Sequence, residues 1–126
     1  MSPLGFVAVA AGAVLGAWLR WGLGSWLNPV VANLPLGTLA ANLGGGLLVG
    51  IAVAFFAGNT SVAPEWRLVC ITGFLGALTT FSTFSAESVQ LMMEGRYGAA
   101  ALHSALHLFG SIVCTAAGFA GYRALT

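Results

Sequence analysis

The chain alternates long apolar runs with short polar stretches, and the runs are of membrane-crossing length. No charged residue occurs from Met1 to Leu19, from Trp21 to Pro64, from Leu68 to Ala86 or from Tyr97 to Tyr122. A helix needs about 20 mostly apolar residues to cross the hydrocarbon layer, so the longest run holds one full crossing, a turn and the end of another. The pattern predicts four spanning helices at about 4–27, 36–57, 65–94 and 97–123, forming a single domain over 1–126. All four prolines fall at the proposed boundaries: Pro3 and Pro64 open helices, and Pro29 and Pro35 bracket the first loop. Proline suits a first turn because its missing N–H has no helical partner there. Glu94-Gly95-Arg96 reads as a tight turn with Gly95 closing the helix before it.

Composition narrows the class. The chain is 59% hydrophobic and 6% charged, with a mean hydropathy of +0.96, whereas soluble domains carry about a quarter charged residues. An all-α membrane protein is expected, with the lipid bilayer as its setting and no nucleic-acid partner. Trp18, Trp21, Trp26, Trp66, Tyr97 and Tyr122 lie near span ends, where amphipathic rings favour the headgroup layer. No Lys or Arg precedes the first run, and it is too long for a signal peptide, so it is expected to remain as structure. Cys70 and Cys114 fall inside spans and imply no disulfide framework.

Charge also bears on orientation. With four spans, Arg67 and Arg123 lie on one side and Arg20 and Arg96 on the other. The bias of positive charge that normally fixes topology is missing. Either four arginines are too few to count, or the chain inserts both ways up and pairs as an antiparallel homodimer, two-fold pairing being the commonest oligomer. Glycine repeats such as Gly12 and Gly16, or Gly110 and Gly118, predict close helix packing and name no function.

The third segment carries the most unusual chemistry. From Gly73 to Ser85 it is uncharged yet rich in glycine and hydroxyls, which predicts a helix broken near its middle. Irregular backbone at membrane depth is tolerated only where it is buried in protein or lines a water-filled path. Thr79, Thr80, Ser82, Thr83 and Ser85 supply hydroxyls, interleaved with Phe81 and Phe84. In the fourth segment His107, Ser111 and Thr115 recur at spacing four and share a face. The second contributes Asn42. Neutral donors without a fixed cation suit an anion that must enter, be held weakly and leave. The plainer alternatives are hydroxyls that bond back to their own helix and an asparagine that joins two helices.

Three further groups have two readings each. Glu87, the carboxylate inside a span, is a functional candidate by depth or an interfacial residue. Arg20 either snorkels or holds an anion in a vestibule. His103 and His107 stand one turn apart, as metal ligands do, but Cys114 lies roughly 10 Å further along the helix. A histidine pair with no third ligand reads as structural.

These residues resemble a known family. Gly76-Ala77-Leu78-Thr79-Thr80-Phe81-Ser82-Thr83-Phe84-Ser85, with Gly37-Thr38-Leu39-Ala40-Ala41-Asn42-Leu43 and Gly16-Ala17-Trp18-Leu19-Arg20-Trp21, look like the Fluc (CrcB-type) fluoride channels of bacteria. The resemblance covers essentially the whole chain, and the Thr-Phe-Ser-Thr-Phe string is its specific part; Ala77 stands where many members have a second glycine. It implies an antiparallel dual-topology homodimer in the bacterial cytoplasmic (inner) membrane, with two fluoride pores. By the same resemblance Phe81 and Phe84 meet the anion with their ring edges and Asn42 donates amide hydrogens. Ser82, Thr83, Ser111 and Thr115 continue the donor track, with His107, Glu87 and Arg20 beside it. A structural sodium ion is implied at the dimer interface, on the main-chain carbonyls of Gly76 and Thr79.

The expected activity is passive, fluoride-selective export that lowers cytoplasmic fluoride, and no enzyme activity. Two alternatives come from other classes. A proton-coupled multidrug exporter needs a membrane-embedded carboxylate, and the first segment offers Arg20 instead. A non-transporting assembly subunit needs only the small-residue seams.

Overall fold

The computed structural model describes residues 1–126. It is all-helical, and four helical segments are long and apolar enough to cross a membrane: Pro3–Val30, Leu36–Gly58, Pro64–Met93 and Tyr97–Leu125. We number the helices α1 (Pro3–Leu27), α2 (Leu36–Gly58), α3 (64–78), α4 (Ser82–Met93) and α5 (Tyr97–Leu125). Ser2 caps α1 by accepting the Gly5 N–H at 3.0 Å, ahead of Pro3. Gly95, at φ +76°, ends the third segment in the left-handed region that glycine adopts without strain.

Two stretches are wound as π-helix: Leu68–Leu75 within α3 and Leu106–Gly110 within α5. Wider turns of this kind shift side chains around the axis and recur at functional sites. Helical hydrogen bonding stops after Leu78 and resumes at Ser82, and Thr79 is extended (φ −85°, ψ 154°). The third segment is therefore two helices, α3 and α4, joined by 79–81.

Glycine decides which helices pair. α1 lies along α3, and α2 lies along the second half of α5, while α4 packs on the first half of α5. A methyl group on Gly12 would strike the Val69 carbonyl, and one on Gly16 the Phe74 carbonyl; Gly50 meets Thr115 and Gly118 meets Leu47 in the same way. In lipid, such backbone-to-backbone approach supplies the dispersion and weak polar contact that hold helices together. Ala41, Leu75 and Leu78 form a small buried cluster at the centre, with Leu23, Val49, Ala52 and Phe74 against it. Trp18, Trp21, Trp26, Trp66 and Tyr97 are exposed, as headgroup-facing rings are.

Candidate functional site

Side chains from other helices take over the backbone groups released at 79–81. The Thr80 N–H donates to Asn42 Oδ1 at 2.7 Å, and Asn42 Nδ2 donates to the Thr80 carbonyl at 2.8 Å. The Ala77 carbonyl accepts from Arg20 Nε at 2.9 Å. Thr80 Oγ1 accepts the Thr83 N–H at 3.1 Å, as an N-cap does for the start of α4. Buried backbone groups without partners are costly, and here Asn42, Arg20 and Thr80 supply those partners.

The two Thr80 bonds fix the Asn42 amide, and with it the tautomer of His107. Asn42 Nδ2 lies 2.8 Å from His107 Nδ1. With Oδ1 facing the Thr80 N–H, Nδ2 is the donor, so Nδ1 accepts and the ring hydrogen sits on Nε2. His107 Nε2 is buried and has no partner.

A cleft of about 500 Å³ opens beside this frame, lined by Asn42, Gly76, Thr79, Thr80, Phe81, Phe84, His107 and Ser111 among others. No residue of fixed charge lines it. The Phe81 and Phe84 rings meet edge to face, with centroids 5.0 Å apart at 80°. Phe84 also stacks on His107, with centroids 4.7 Å apart and 23° between the planes. Phe81 is 74% exposed, so one side of the cleft is unwalled by this chain. A second cleft of about 390 Å³ includes Arg20, Asn28, Thr38, Thr80 and Thr83 in its lining, so Thr80 borders both.

A charged and a polar cluster sit behind the first cleft. Thr38 Oγ1 donates to Glu87 Oε2 at 2.8 Å, and Glu87 Oε1 faces His103 Nε2 at 3.5 Å. The His103 and His107 rings lie 4.4 Å apart. His103 is fully buried, and neither of its ring nitrogens has a hydrogen-bond partner.

The family profile described as "CrcB-like protein, Camphor Resistance (CrcB)" matches residues 7–119. The chain belongs to the CrcB family. Relatives named fluoride-specific ion channel FluC include one from Cupriavidus necator, 59% identical over 125 residues and covering 99% of each chain. Another is from Cupriavidus taiwanensis, 58% identical over the same length and coverage. A third, from Pseudomonas putida, is 56% identical over 116 residues, 92% of this chain and 91% of its own.

The CrcB fold gathers some of the sequence-predicted site residues and separates others. Asn42, Phe81, Phe84, His107 and Ser111 line one cleft, with Gly76 and Thr79. Thr83 lies with Arg20 in the second cleft, where Arg20 Nη1 reaches Thr83 Oγ1 at 3.5 Å. Thr115 borders a separate groove with Ser111 and donates back to the Ser111 carbonyl at 2.9 Å. Ser82 is exposed and lies 3.4 Å from Thr80 Oγ1. Glu87 borders neither cleft. Both Asn42 amide hydrogens are engaged, by Thr80 and by His107, which makes Asn42 a holder of other groups.

The Gly76 and Thr79 carbonyls are left over. Their usual donors, the N–H groups of Thr80 and Thr83, are diverted to Asn42 and to Thr80 Oγ1, and neither oxygen accepts a hydrogen bond. Uncharged oxygens of this kind fit a hard cation such as sodium. Sequence reasoning missed Thr38 and the backbone of Thr80. The first had a signal, because Thr38 stands four residues before Asn42 on the same helix face.

Proposed function

We propose that this chain is a passive fluoride-selective channel that lets fluoride leave the cytoplasm. The supporting observation is one cleft lined by Phe81, Phe84 and neutral polar groups without a fixed charge. Ring edges carry partial positive charge, and the Ser111 hydroxyl adds a donor, with His107 in the wall beside it. An anion held this way is bound weakly enough to move on. A small anion is admitted past Phe81 and Phe84, whose rings pack edge to face with centroids 5.0 Å apart, and a larger halide is not. Arg20 collects anions at the second cleft, and Thr80, shared by both clefts, marks the passage between them. Ser82, Thr83 and Thr115 extend the hydroxyl track, and Glu87 fixes the wall behind it through Thr38.

The driving force is electrical. Hydrogen fluoride crosses membranes as a neutral acid and ionises inside. An interior-negative potential then expels the anion with about 2.3 kcal/mol per charge per 100 mV. No coupled reaction is needed.

The working unit is an antiparallel homodimer in the cytoplasmic membrane with two pores, the partner walling the open side of the cleft at Phe81. The balanced arginines and the exposed Phe81 ring support this assembly. The Gly76 and Thr79 carbonyls of both copies would hold a structural sodium ion at the interface, where it would be coordinated by oxygens the chain leaves unpaired. The test is fluoride efflux from protein-loaded liposomes read by a fluoride electrode, with chloride as control. Efflux of fluoride without chloride supports the proposal, and no fluoride efflux above empty liposomes sinks it.

A further inference from the structure

Glu87, His103 and His107 come from two helices and each offers one metal-binding atom, all within 4.8 Å of one another. The cluster contains four buried polar atoms that make no hydrogen bond, Glu87 Oε1, both His103 nitrogens and His107 Nε2, of which Glu87 Oε1 and His103 Nε2 face each other at 3.5 Å. Such a concentration of unsatisfied groups in a folded protein calls for something that satisfies them. We propose that these three residues form a site for a divalent transition metal, with zinc as its natural probe, and that filling it disengages Asn42.

The donor set and its support fit zinc. Two imidazoles and a carboxylate are a known three-ligand set for this ion, with bonds of about 2.0–2.2 Å and a fourth position open. Ligand atoms then stand roughly 3.4 Å apart. Glu87 Oε1 and His103 Nε2 are already at 3.5 Å, and the widest separation must close by roughly 1.4 Å. Metal-binding carboxylates are usually held from outside by a further hydrogen bond, which Thr38 provides on Glu87 Oε2. His103 and His107, one turn apart on α5, present their rings together, and His107 also lines the first cleft.

The link to Asn42 follows from the tautomer. Asn42 occupies Nδ1, so the buried, unpartnered Nε2 is the His107 atom we assign to zinc; that requires a lone pair there, and the ring hydrogen moves to Nδ1 with no net proton gained or lost. Nδ1–H then faces Asn42 Nδ2, donor against donor, and the 2.8 Å bond between them is lost. Asn42 is the group that holds the Thr80 backbone open, so metal in the site disturbs the cleft. This second step rests on the channel reading; the site itself does not.

The test uses the full chain without a histidine tag, in detergent and in liposomes. Zinc bound after equilibrium dialysis should reach one per chain, and cobalt in its place should give the intense visible bands of a four- or five-coordinate ion. His103→Asn should weaken zinc binding by more than the 10- to 100-fold typical of an outer partner, and Thr38→Val by about that range. Zinc should slow fluoride efflux at least about tenfold in the unaltered chain, reversibly with a chelator, and leave His103→Asn unaffected. Absence of stoichiometric zinc in the unaltered chain, or equal binding by His103→Asn, overturns the site whether or not that variant folds well. Stoichiometric zinc with unchanged efflux overturns the link to Asn42. Metal-free protein that passes no fluoride counts against the channel reading and leaves the binding result standing.

Discussion

Asn42 grips Thr80 from both sides, accepting its N–H at 2.7 Å and donating to its carbonyl at 2.8 Å across 38 residues of sequence. A helix cannot satisfy itself at that point, and a single amide stands in for two backbone partners. The same amide sets the His107 ring through its remaining hydrogen.

Substitutions at Asn42 should therefore cost both structure and flux. Asn42→Ala leaves the half-buried Thr80 N–H and carbonyl and the buried His107 Nδ1 without partners, at about 1–3 kcal/mol for the buried group and less for the other two. Asn42→Asp keeps an acceptor for the Thr80 N–H, loses both donated hydrogens and adds a charge that repels an anion. We expect fluoride efflux to fall at least about tenfold in the first and to vanish in the second. Wild-type rates from either would refute the role given to Asn42.

The Phe81 and Phe84 edges should matter for rate, and in different ways. Phe81→Ile and Phe84→Ile remove the aromatic edge while keeping bulk, so each should slow fluoride efflux by about tenfold or more without admitting chloride. Phe84→Ile also removes the stack on His107 and should lower stability by about 1 kcal/mol more than Phe81→Ile. Electrode recordings and thermal unfolding in detergent separate the two effects.

Glycine at the helix seams makes a sharper structural prediction. A methyl group at Gly50 meets the Thr115 carbonyl, which is backbone and cannot swing away, whereas one at Gly44 meets nothing within 4 Å. Gly50→Ala should force α2 and α5 apart at a cost of about 1–3 kcal/mol. Gly44→Ala should be neutral or slightly stabilising, since glycine is the poorer helix former. Equal melting temperatures for the two variants would contradict the packing described.

The proposed dimer and its sodium ion are tested together by ion replacement and by locking orientation. Exchanging sodium for a large organic cation should reduce the dimer fraction measured at fixed protein concentration, because the Gly76 and Thr79 carbonyls lose their partner. A Lys-rich tag that holds one terminus on one side of the membrane should abolish efflux when that chain is expressed alone. Full efflux from a single locked orientation would exclude the antiparallel arrangement.

Hydropathy is read locally, one segment at a time, so the four spans, their proline and glycine boundaries and the hydroxyl-rich third segment were legible from residue order alone. So were the residue types on offer: Asn42, two phenylalanines, two histidines, a carboxylate and an arginine inside apolar runs. Which of them meet was not legible. Asn42 reaches His107 over 65 residues and Thr38 reaches Glu87 over 49, and these meetings depend on the register of helices seated on glycine backbones. Sequence placed His103 and His107 together but saw no third ligand, because Glu87 arrives from a different helix. It left Asn42 as either a donor to an anion or a joiner of two helices, and the fold gives its hydrogens to Thr80 and His107. Residue order determined what could enter a membrane and what chemistry it carried, since burying polar groups in lipid is penalised wherever they stand. Only tertiary packing decided which donor faces which acceptor, since a hydrogen bond is satisfied by position and not by composition.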